Sequence, residues 1–114
     1  MNVLRSLANL AAAMVCTAVL ATPATAKISV ARQAELLHLL RQDCGSCHGT
    51  MTLRGGLGSP LTPAALADRP VDLLVEAVLD GRPGTPMAPW RTLVNEEEAT
   101  WLVEQLRTGL PAEH

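Results

Sequence analysis

Cys44, Cys47 and His48 form a C-x-x-C-H motif within the stretch RQDCGSCHGT, residues 41–50. Two cysteines at this spacing serve three chemistries, which are a redox dithiol, half of a zinc site and a haem attachment site. Each chemistry requires a different protein around the motif. A thioredoxin-like dithiol belongs to an α/β fold, and a structural zinc site needs two further ligands. The motif therefore limits the fold before any other feature is considered.

The first 26 residues have the pattern of an export signal. Arg5 stands in a short basic start, residues 7–20 are mostly apolar, and Ala24-Thr25-Ala26 fits an A-x-A cleavage site. The apolar run is short for an uncleaved membrane anchor, which needs roughly 20 residues. We therefore predict a cleaved signal peptide, residues 1–26, and an exported domain, residues 27–114, located in the periplasm.

The predicted domain is poor in material for a core. The chain has no Phe and no Tyr, and its aromatic residues are Trp90 and Trp101. Loss of residues 1–26 would remove one of nine Lys/Arg and none of eleven Asp/Glu, which changes the formal net charge from −2 to −3. This balance lacks the basic footprint of a nucleic-acid-binding protein. Small domains bury little of their surface, so a large apolar cofactor would supply what the aromatic residues do not.

Capping residues and apolar periodicity predict an all-α fold of about four helices with long loops. The predicted helices run from Val30, after a Ser29 cap, to about Asp43, from Pro63, after a Thr62 cap, to about Ala67, from Pro70 to Gly81, and from an Asn95–Glu98 capping box to about Thr108. Residues 45–60 are rich in glycine and are predicted to form a loop. No segment alternates convincingly as a strand does.

Apolar spacing also predicts which faces of the helices are buried. The predicted faces are Val30, Leu37, Leu40 and Cys44 on the first long helix, with Ala34 and Leu36 flanking them, Leu73, Leu74, Ala77 and Val78 on the next, and Ala99, Leu102, Val103 and Leu106 on the last.

The predicted fold favours haem attachment at the motif. No strand precedes Cys44, as a thioredoxin-like dithiol would require, and the exported domain has no second ligand pair for zinc. A disulfide between Cys44 and Cys47 stays possible in an exported protein, but it leaves His48 without a role. Haem attachment uses all three residues, because the two thiols can form thioethers to one porphyrin while the imidazole binds the iron.

Met87 is the best candidate for the second axial ligand. It lies in GRPGTPMAPW, residues 81–90, where three prolines restrict the backbone before folding. Met51 follows His48 by three residues, on the side that the proximal turn occupies. His38 lies in the first helix and His114 at the end of the chain. Met87 could instead serve only to fill the core, which is the common role of methionine.

The motif and its surroundings resemble a monohaem class I cytochrome c. The resemblance rests on Cys44-Gly45-Ser46-Cys47-His48-Gly49, on Pro60-Leu61, and on a late methionine in a proline-rich loop. It implies a small fold whose first and last helices cross. It also implies that the carbonyl of Pro60, twelve residues after His48, accepts a hydrogen bond from the proximal histidine. Such a bond orients the imidazole and makes it a stronger donor, although Pro60 could be an ordinary loop proline.

Two longer stretches resemble a narrower family, the NirC-type cytochromes (cytochrome c55X). They are CGSCHGTMTLRGGLGSPLTPAAL, residues 44–66, and VLDGRPGTPMAPW, residues 78–90. Members are encoded beside the haem-d1 nitrite reductase of denitrifying bacteria and are associated with electron delivery and with haem-d1 maturation. The resemblance implies haem-d1 nitrite reductase and an upstream quinol-linked donor as redox partners. This sequence has Met87-Ala88-Pro89 where many relatives have a proline directly after the methionine.

A mechanism follows if His48 and Met87 both bind the iron of one covalent haem c. The iron then has no open position, and this ligand pair favours the reduced state. We expect a monomeric electron carrier, not an enzyme, with no membrane anchor after cleavage. Trp90 could hold a haem propionate through its indole N–H, and Arg54 and Arg91 could do so by charge. All three could equally be ordinary surface residues.

Two other functions remain open at this point. One is a general periplasmic carrier that serves another reductase or a terminal oxidase. The other is a haem sensor, small-ligand binder or peroxidase-like enzyme, which would require a labile Met87.

Overall fold

The regular secondary structure is helical throughout the computed structural model, which describes residues 27–50 and 52–111. The helices are α1 (Val30–Leu39), α2 (Gly45–His48), α3 (Pro63–Leu66), α4 (Val71–Asp80) and α5 (Glu96–Thr108), and a π-helical turn, Leu40–Cys44, joins α1 to α2. The predicted all-α class is confirmed. Within the two described ranges, no helix has the length and apolar character that crossing a membrane requires. The predicted signal peptide, Met51 and His114 lie outside the described residues.

Polar caps begin three helices at the predicted residues. Ser29, Thr62 and Asn95 each accept a hydrogen bond from the backbone N–H three residues later, at 3.2, 3.3 and 2.9 Å. The Glu98 carboxylate accepts from the N–H of Asn95 at 3.0 Å, which completes the predicted capping box. The helix after Pro70 ends at Gly81, as predicted.

The first helical segment extends further than predicted. The sequence predicts that this helix ends near Asp43 and that the motif lies in a loop, but helical backbone continues through the π-helical turn and α2. Gly45 has helical angles, with φ −60° and ψ −30°. The chain leaves the helical region only at Gly49, where φ is 114°. The C-x-x-C-H motif therefore stands on a helix, which holds its side chains more firmly than a loop would.

The buried core joins all the long helices. Both tryptophans are partly buried and pack against it. Its members are Leu36, Leu40, Leu53, Leu66, Val75, Leu79, Val94, Ala99, Leu102, Val103 and Leu106. The face predicted for α5 is confirmed in full.

The faces predicted for α1 and α4 are only partly correct. On the first segment Leu36 and Leu40 are buried, whereas Val30 is 82% exposed. On α4 the buried residues are Val75 and Leu79, whereas Leu73 is 57% exposed. Both helices contact α5, so the side facing α5 is the one that is buried. Apolar residues are so dense on α1 and α4 that periodicity alone selects the wrong stripe.

A charged contact connects α1 to α5. Arg32 donates from Nε to Glu98 Oε1 at 2.6 Å and from Nη2 to Glu98 Oε2 at 3.2 Å. The same guanidinium donates to the carbonyl of Leu93 at 2.8 Å. The Glu98 side chain is only 12% exposed, and the hydrogen bonds from Arg32 lower its pKa. The first and last helices are thus held together by a shielded ion pair as well as by apolar contact.

We predict that Glu98→Gln destabilises the fold more than Glu35→Gln does. Glu35 is a matched control because it also pairs with Arg32, at 3.0 Å, but its side chain is 67% exposed, and exposed pairs contribute little. Glutamine still suits a capping box, so the Glu98 variant removes mainly the charge. Thermal unfolding of both variants checks the difference.

The stabilisation that Glu98 contributes is lost at acidic pH. The pKa of Glu98 is lower in the folded protein than in the unfolded chain, where it is about 4.3. The ionised carboxylate therefore stabilises the fold above about pH 4.3, and this contribution is lost as the pH falls through the folded-state value. A gap between wild type and Glu98→Gln that stayed constant down to strongly acidic pH would contradict the assignment.

Candidate haem site

The C-x-x-C-H motif lies on one continuous helical segment. Cys44 ends the π-helical turn, and Cys47 and His48 lie on α2. Residues three and four apart in a helix are neighbours on its surface, so Cys44 is a neighbour of both Cys47 and His48. Cys44 and Cys47 are free thiols, the first partly buried and the second exposed. The motif thus presents two unpaired sulfur atoms and one imidazole together.

The ionisation of Cys44 argues against a redox dithiol. Burial, with a smaller contribution from the charge of Asp43, raises the pKa of this thiol to about 11. Catalytic dithiols instead have a thiol pKa below the ordinary value, because the thiolate is the reactive form. A protonated, partly buried thiol suits a permanent covalent anchor better than a reversible switch.

His48 is held by the backbone carbonyl of Ser59. The distance from Nδ1 to the carbonyl oxygen is 2.7 Å. A carbonyl only accepts, so Nδ1 must carry the proton and Nε2 is left with a lone pair for a metal.

The acceptor predicted for this bond, the carbonyl of Pro60, is wrong by one residue. Pro60 acts indirectly, because a proline restricts the residue before it to extended backbone, and here that residue is Ser59. The Pro60 ring lies against Gly55, where an added Cβ would come within 3.3 Å of Cγ. A direct contact of Pro60 with haem stays a prediction.

A glycine-rich loop after the motif packs directly on it. The N–H of Gly58 donates to the carbonyl of Cys47, and that of Gly55 to the carbonyl of His48, both at 2.8 Å. A Cβ added to Gly58 would lie 2.6 Å from Nδ1 of His48, and one added to Gly56 would lie 2.8 Å from the Cys47 oxygen. Only glycine fits at these two positions. The sequence signal for this packing is the GGLG spacing, which the prediction treated only as loop.

The segment around Met87 is closed by its own hydrogen bonds. The N–H of Arg82 donates to the carbonyl of Met87 at 3.1 Å. The Thr85 hydroxyl donates to the carbonyl of Arg82 at 2.6 Å and accepts from the N–H of Met87 at 3.3 Å. At the end of the segment, the N–H of Trp90 donates to the carbonyl of Val78 at 3.1 Å. Met87, which is partly buried, therefore sits in a braced loop.

The residues considered for the propionates have different surroundings. Arg91 pairs with Asp80 through two nitrogens, with Nη2 at 2.7 Å and Nε at 2.9 Å from Oδ1. This ion pair offers an ordinary structural role for Arg91. Trp90 is partly buried and packs against the core, and Arg54 is exposed. The propionate role of Trp90 stays a prediction.

The donor set fits a haem better than a bare metal ion. Among residues 27–50 and 52–111, no group of three or more His, Cys, Asp or Glu could hold a metal. Iron that is already bound by a porphyrin needs only axial ligands from the protein. Two unpaired thiols on one helical face, with a histidine whose Nδ1 is fixed and whose Nε2 is free, are the groups that covalent haem attachment uses.

The helical fold and this donor set define a c-type cytochrome. The profile of the family described as "Cytochrome C oxidase, cbb3-type, subunit III" matches residues 31–105, and proteins of this class carry covalently bound haem c. Within that class, relatives that are 52–59% identical and a solved structure that is 55% identical show that the chain belongs to the cytochrome c55X, or NirC-type, family. The predicted family and the predicted small class I cytochrome fold are both confirmed.

Curated relatives and solved structures support this assignment. The chain is 59% identical over 78 residues to cytochrome c55X of Pseudomonas aeruginosa, covering 68% of this chain and 65% of that protein. It is 57% identical over 76 residues to cytochrome c55X of Paracoccus denitrificans, covering 67% and 73%. The alignment thus spans just under two thirds of the first relative and somewhat more of the second.

Two solved structures have similar folds. A structure titled "c-type cytochrome NirC" has a TM-score of 0.69 and 55% identity, covering 72% of this chain and 95% of that one. A structure titled "Dihydro-heme d1 dehydrogenase NirN in complex with DHE" has a TM-score of 0.59 and 35% identity. The second match covers 68% of this chain but 17% of the other, so it concerns one part of a larger protein.

We predict that Gly58→Ala disrupts the proximal site and that Gly45→Ala does not. The first Cβ would lie 2.6 Å from the His48 ring, whereas the second would meet its neighbours at ordinary distances of 3.8–3.9 Å. Gly45 is also helical, where alanine is favourable by up to about 1 kcal/mol. Coexpression with a haem-attachment system, followed by haem per protein and the Soret spectrum, checks this. Equal haem content and spectra in the two variants would contradict it.

Proposed function

We propose that the protein is a periplasmic one-electron carrier of denitrification. In this proposal one haem c is attached through Cys44 and Cys47, and its iron is bound by His48 and Met87. The observation that carries the proposal is that the His48 imidazole is fixed and that the Met87 loop is braced, each by its own hydrogen bonds. The His48 Nδ1–Ser59 contact leaves Nε2 available, and hydrogen bonds close the Met87 loop.

In this proposal, the protein's own residues suit the site to electron transfer. The Ser59 carbonyl holds the imidazole in one tautomer and strengthens it as a donor. Met87, on a loop with little freedom, can stay in place in both oxidation states, so little reorganisation accompanies each transfer. When bound, the haem supplies a reversible one-electron change at iron, and histidine–methionine ligation favours its reduced form. If His48 and Met87 both hold the iron, substrates would have no binding position on the metal.

The link to denitrification is supported by the relatives. One of the curated cytochromes c55X comes from Paracoccus denitrificans, and the similar part of NirN belongs to a protein titled as a haem-d1 dehydrogenase. We propose haem-d1 nitrite reductase, or a protein of haem-d1 maturation, as the electron acceptor, and a quinol-linked protein as the donor.

Docking to such a partner would depend little on charge. Lys27 is the only lysine in the sequence, so no ring of lysines can surround the site. Ser46 and Cys47 are exposed, and Leu57, on the glycine-rich loop beside the motif, is 94% exposed. A small face with one protruding apolar side chain, and with the exposed Arg54 on the same loop, suits the small, transient contacts of electron-transfer proteins.

We predict that Met87→Ala opens the iron. The ferric wild type should show the near-infrared charge-transfer band of thioether ligation, and the ferrous form should not bind CO. The variant should lose the band and bind CO. Met51→Ala is the matched control and should behave as wild type, because Met51 follows His48 too closely to reach the opposite side. CO binding by the wild type would contradict the closed site and favour a sensor.

The partner can be tested directly by stopped-flow mixing of the reduced protein with haem-d1 nitrite reductase. We expect rapid, saturable electron transfer with only a weak dependence on ionic strength, because steering by charge is what makes association rates salt-dependent. The Leu57→Ser variant should have a lower second-order rate constant for this electron transfer and an unchanged haem spectrum. Failure to reduce the reductase, together with the absence of haem-d1 genes from the genome, would contradict the denitrification role.

The proposed periplasmic location can be tested separately from the redox partner. Cleavage after Ala26 predicts that the exported protein begins at Lys27 and carries one haem, which the intact mass of protein from the periplasmic fraction checks.

A further inference from the structure

The C-terminus of α4 touches the backbone of the Met87 loop. Asp80 is the last residue of α4, and Gly81 follows it with φ 68°, a value that side chains disfavour. A Cβ built on Gly81 would lie 2.6 Å from the carbonyl oxygen of Met87 and 2.8 Å from the backbone of Ala88 and Pro89. Such distances do not occur for real Cβ atoms, so this close approach requires glycine.

Hydrogen bonds hold the two segments in this contact. The N–H of Arg82 donates to the same Met87 carbonyl at 3.1 Å. Three residues further along, the N–H of Trp90 donates to the carbonyls of Val78 and Leu79, at 3.1 and 3.2 Å. These carbonyls lie in the last turn of α4, where a helix lacks partners of its own. The backbone before and after Ala88 is therefore fixed to the end of the helix.

We propose that the end of α4 sets the position of Met87 and that Gly81 is the positioning residue. The atoms nearest to a Cβ built on Gly81 are all backbone atoms, of Met87, Ala88 and Pro89. Its missing side chain allows the Met87 carbonyl to rest against the helix end, and this contact determines where the thioether is presented. The inference rests on the proposed role of Met87 as an iron ligand, and it adds that ligation depends on a backbone contact outside the site.

Gly84 provides a matched control within the same loop. It also has a positive φ, 79°, but a Cβ built there meets nothing within 4 Å. Alanine at either position incurs the cost of a positive φ, and Gly81, with ψ −168°, has backbone angles that are essentially exclusive to glycine. Only Gly81→Ala also brings a Cβ against the Met87 carbonyl, so loss of thioether ligation in a folded Gly81→Ala protein, with ligation kept in Gly84→Ala, reports the positioning effect.

The experiment compares wild type, Gly81→Ala, Gly84→Ala and Met87→Ala as haem-loaded proteins. Near-infrared spectra in the ferric state and CO titration in the ferrous state are the readouts. Gly81→Ala should lose or shift the thioether band and bind CO at least about tenfold more tightly than Gly84→Ala, because its methionine-bound population falls. Gly84→Ala should keep the wild-type band. Identical bands and CO affinities in the two alanine variants would overturn the proposal.

Comparison with Met87→Ala separates a failure of this inference from a failure of the proposed function. If wild type lacks the band and matches Met87→Ala, methionine ligation itself is wrong. If wild type has the band and the two glycine variants agree, only the role of Gly81 is wrong.

Thr85 provides a second test that does not depend on Gly81→Ala folding. Its hydroxyl bridges the Arg82 carbonyl and the Met87 N–H. Thr85→Val removes both bonds at nearly constant shape, and Thr85→Ser keeps them. The valine variant should weaken the band and strengthen CO binding, with the serine variant close to wild type. Equal behaviour of the two would count against a braced loop that positions Met87.

Discussion

The hydrogen bond between His48 and the carbonyl of Ser59 connects the two halves of the proximal site. His48 stands at the end of a continuous helical segment, and Ser59 belongs to the glycine-rich loop that returns beneath it. The bond fixes the tautomer and therefore the nitrogen that can bind a metal. It also requires the loop to lie close to the ring, which is possible because Gly58 has no side chain there. The hydrogen bonds from Gly55 and Gly58 to the backbone of the motif hold the loop in the same position.

Features that depend on neighbouring residues were predictable from the sequence. The Ser29, Thr62 and Asn95 caps are each set within three residues, and the structure has all three. The buried face of α5 was also predictable, because its apolar residues are few and four of them, Ala99, Leu102, Val103 and Leu106, recur at helical spacing. A helix with few apolar residues has one possible buried face, whereas a helix with many apolar residues has several.

Features that depend on packing were not predictable in the same way. On α1 and α4 the apolar residues nearly surround the helix, so the contact with α5 decides which are buried. The helical state of the motif was missed because glycine suggests a loop, although Gly45 is helical. The carbonyl that binds His48 was misplaced by one residue, because the residue count identifies a proline but not which carbonyl of the turn faces the ring.

Both proposed axial ligands are positioned by backbone that passes unusually close to other atoms. Gly58 lies against the His48 ring, and Gly81 lies against the Met87 carbonyl. In a domain with few large side chains, backbone contact and hydrogen bonds can fix a ligand where bulky packing groups are scarce. Hydrophobic periodicity cannot reveal such contacts, because glycine contributes nothing to it. In this chain, the glycines at short intervals near the two ligands are the sequence signal that indicates how the site is built.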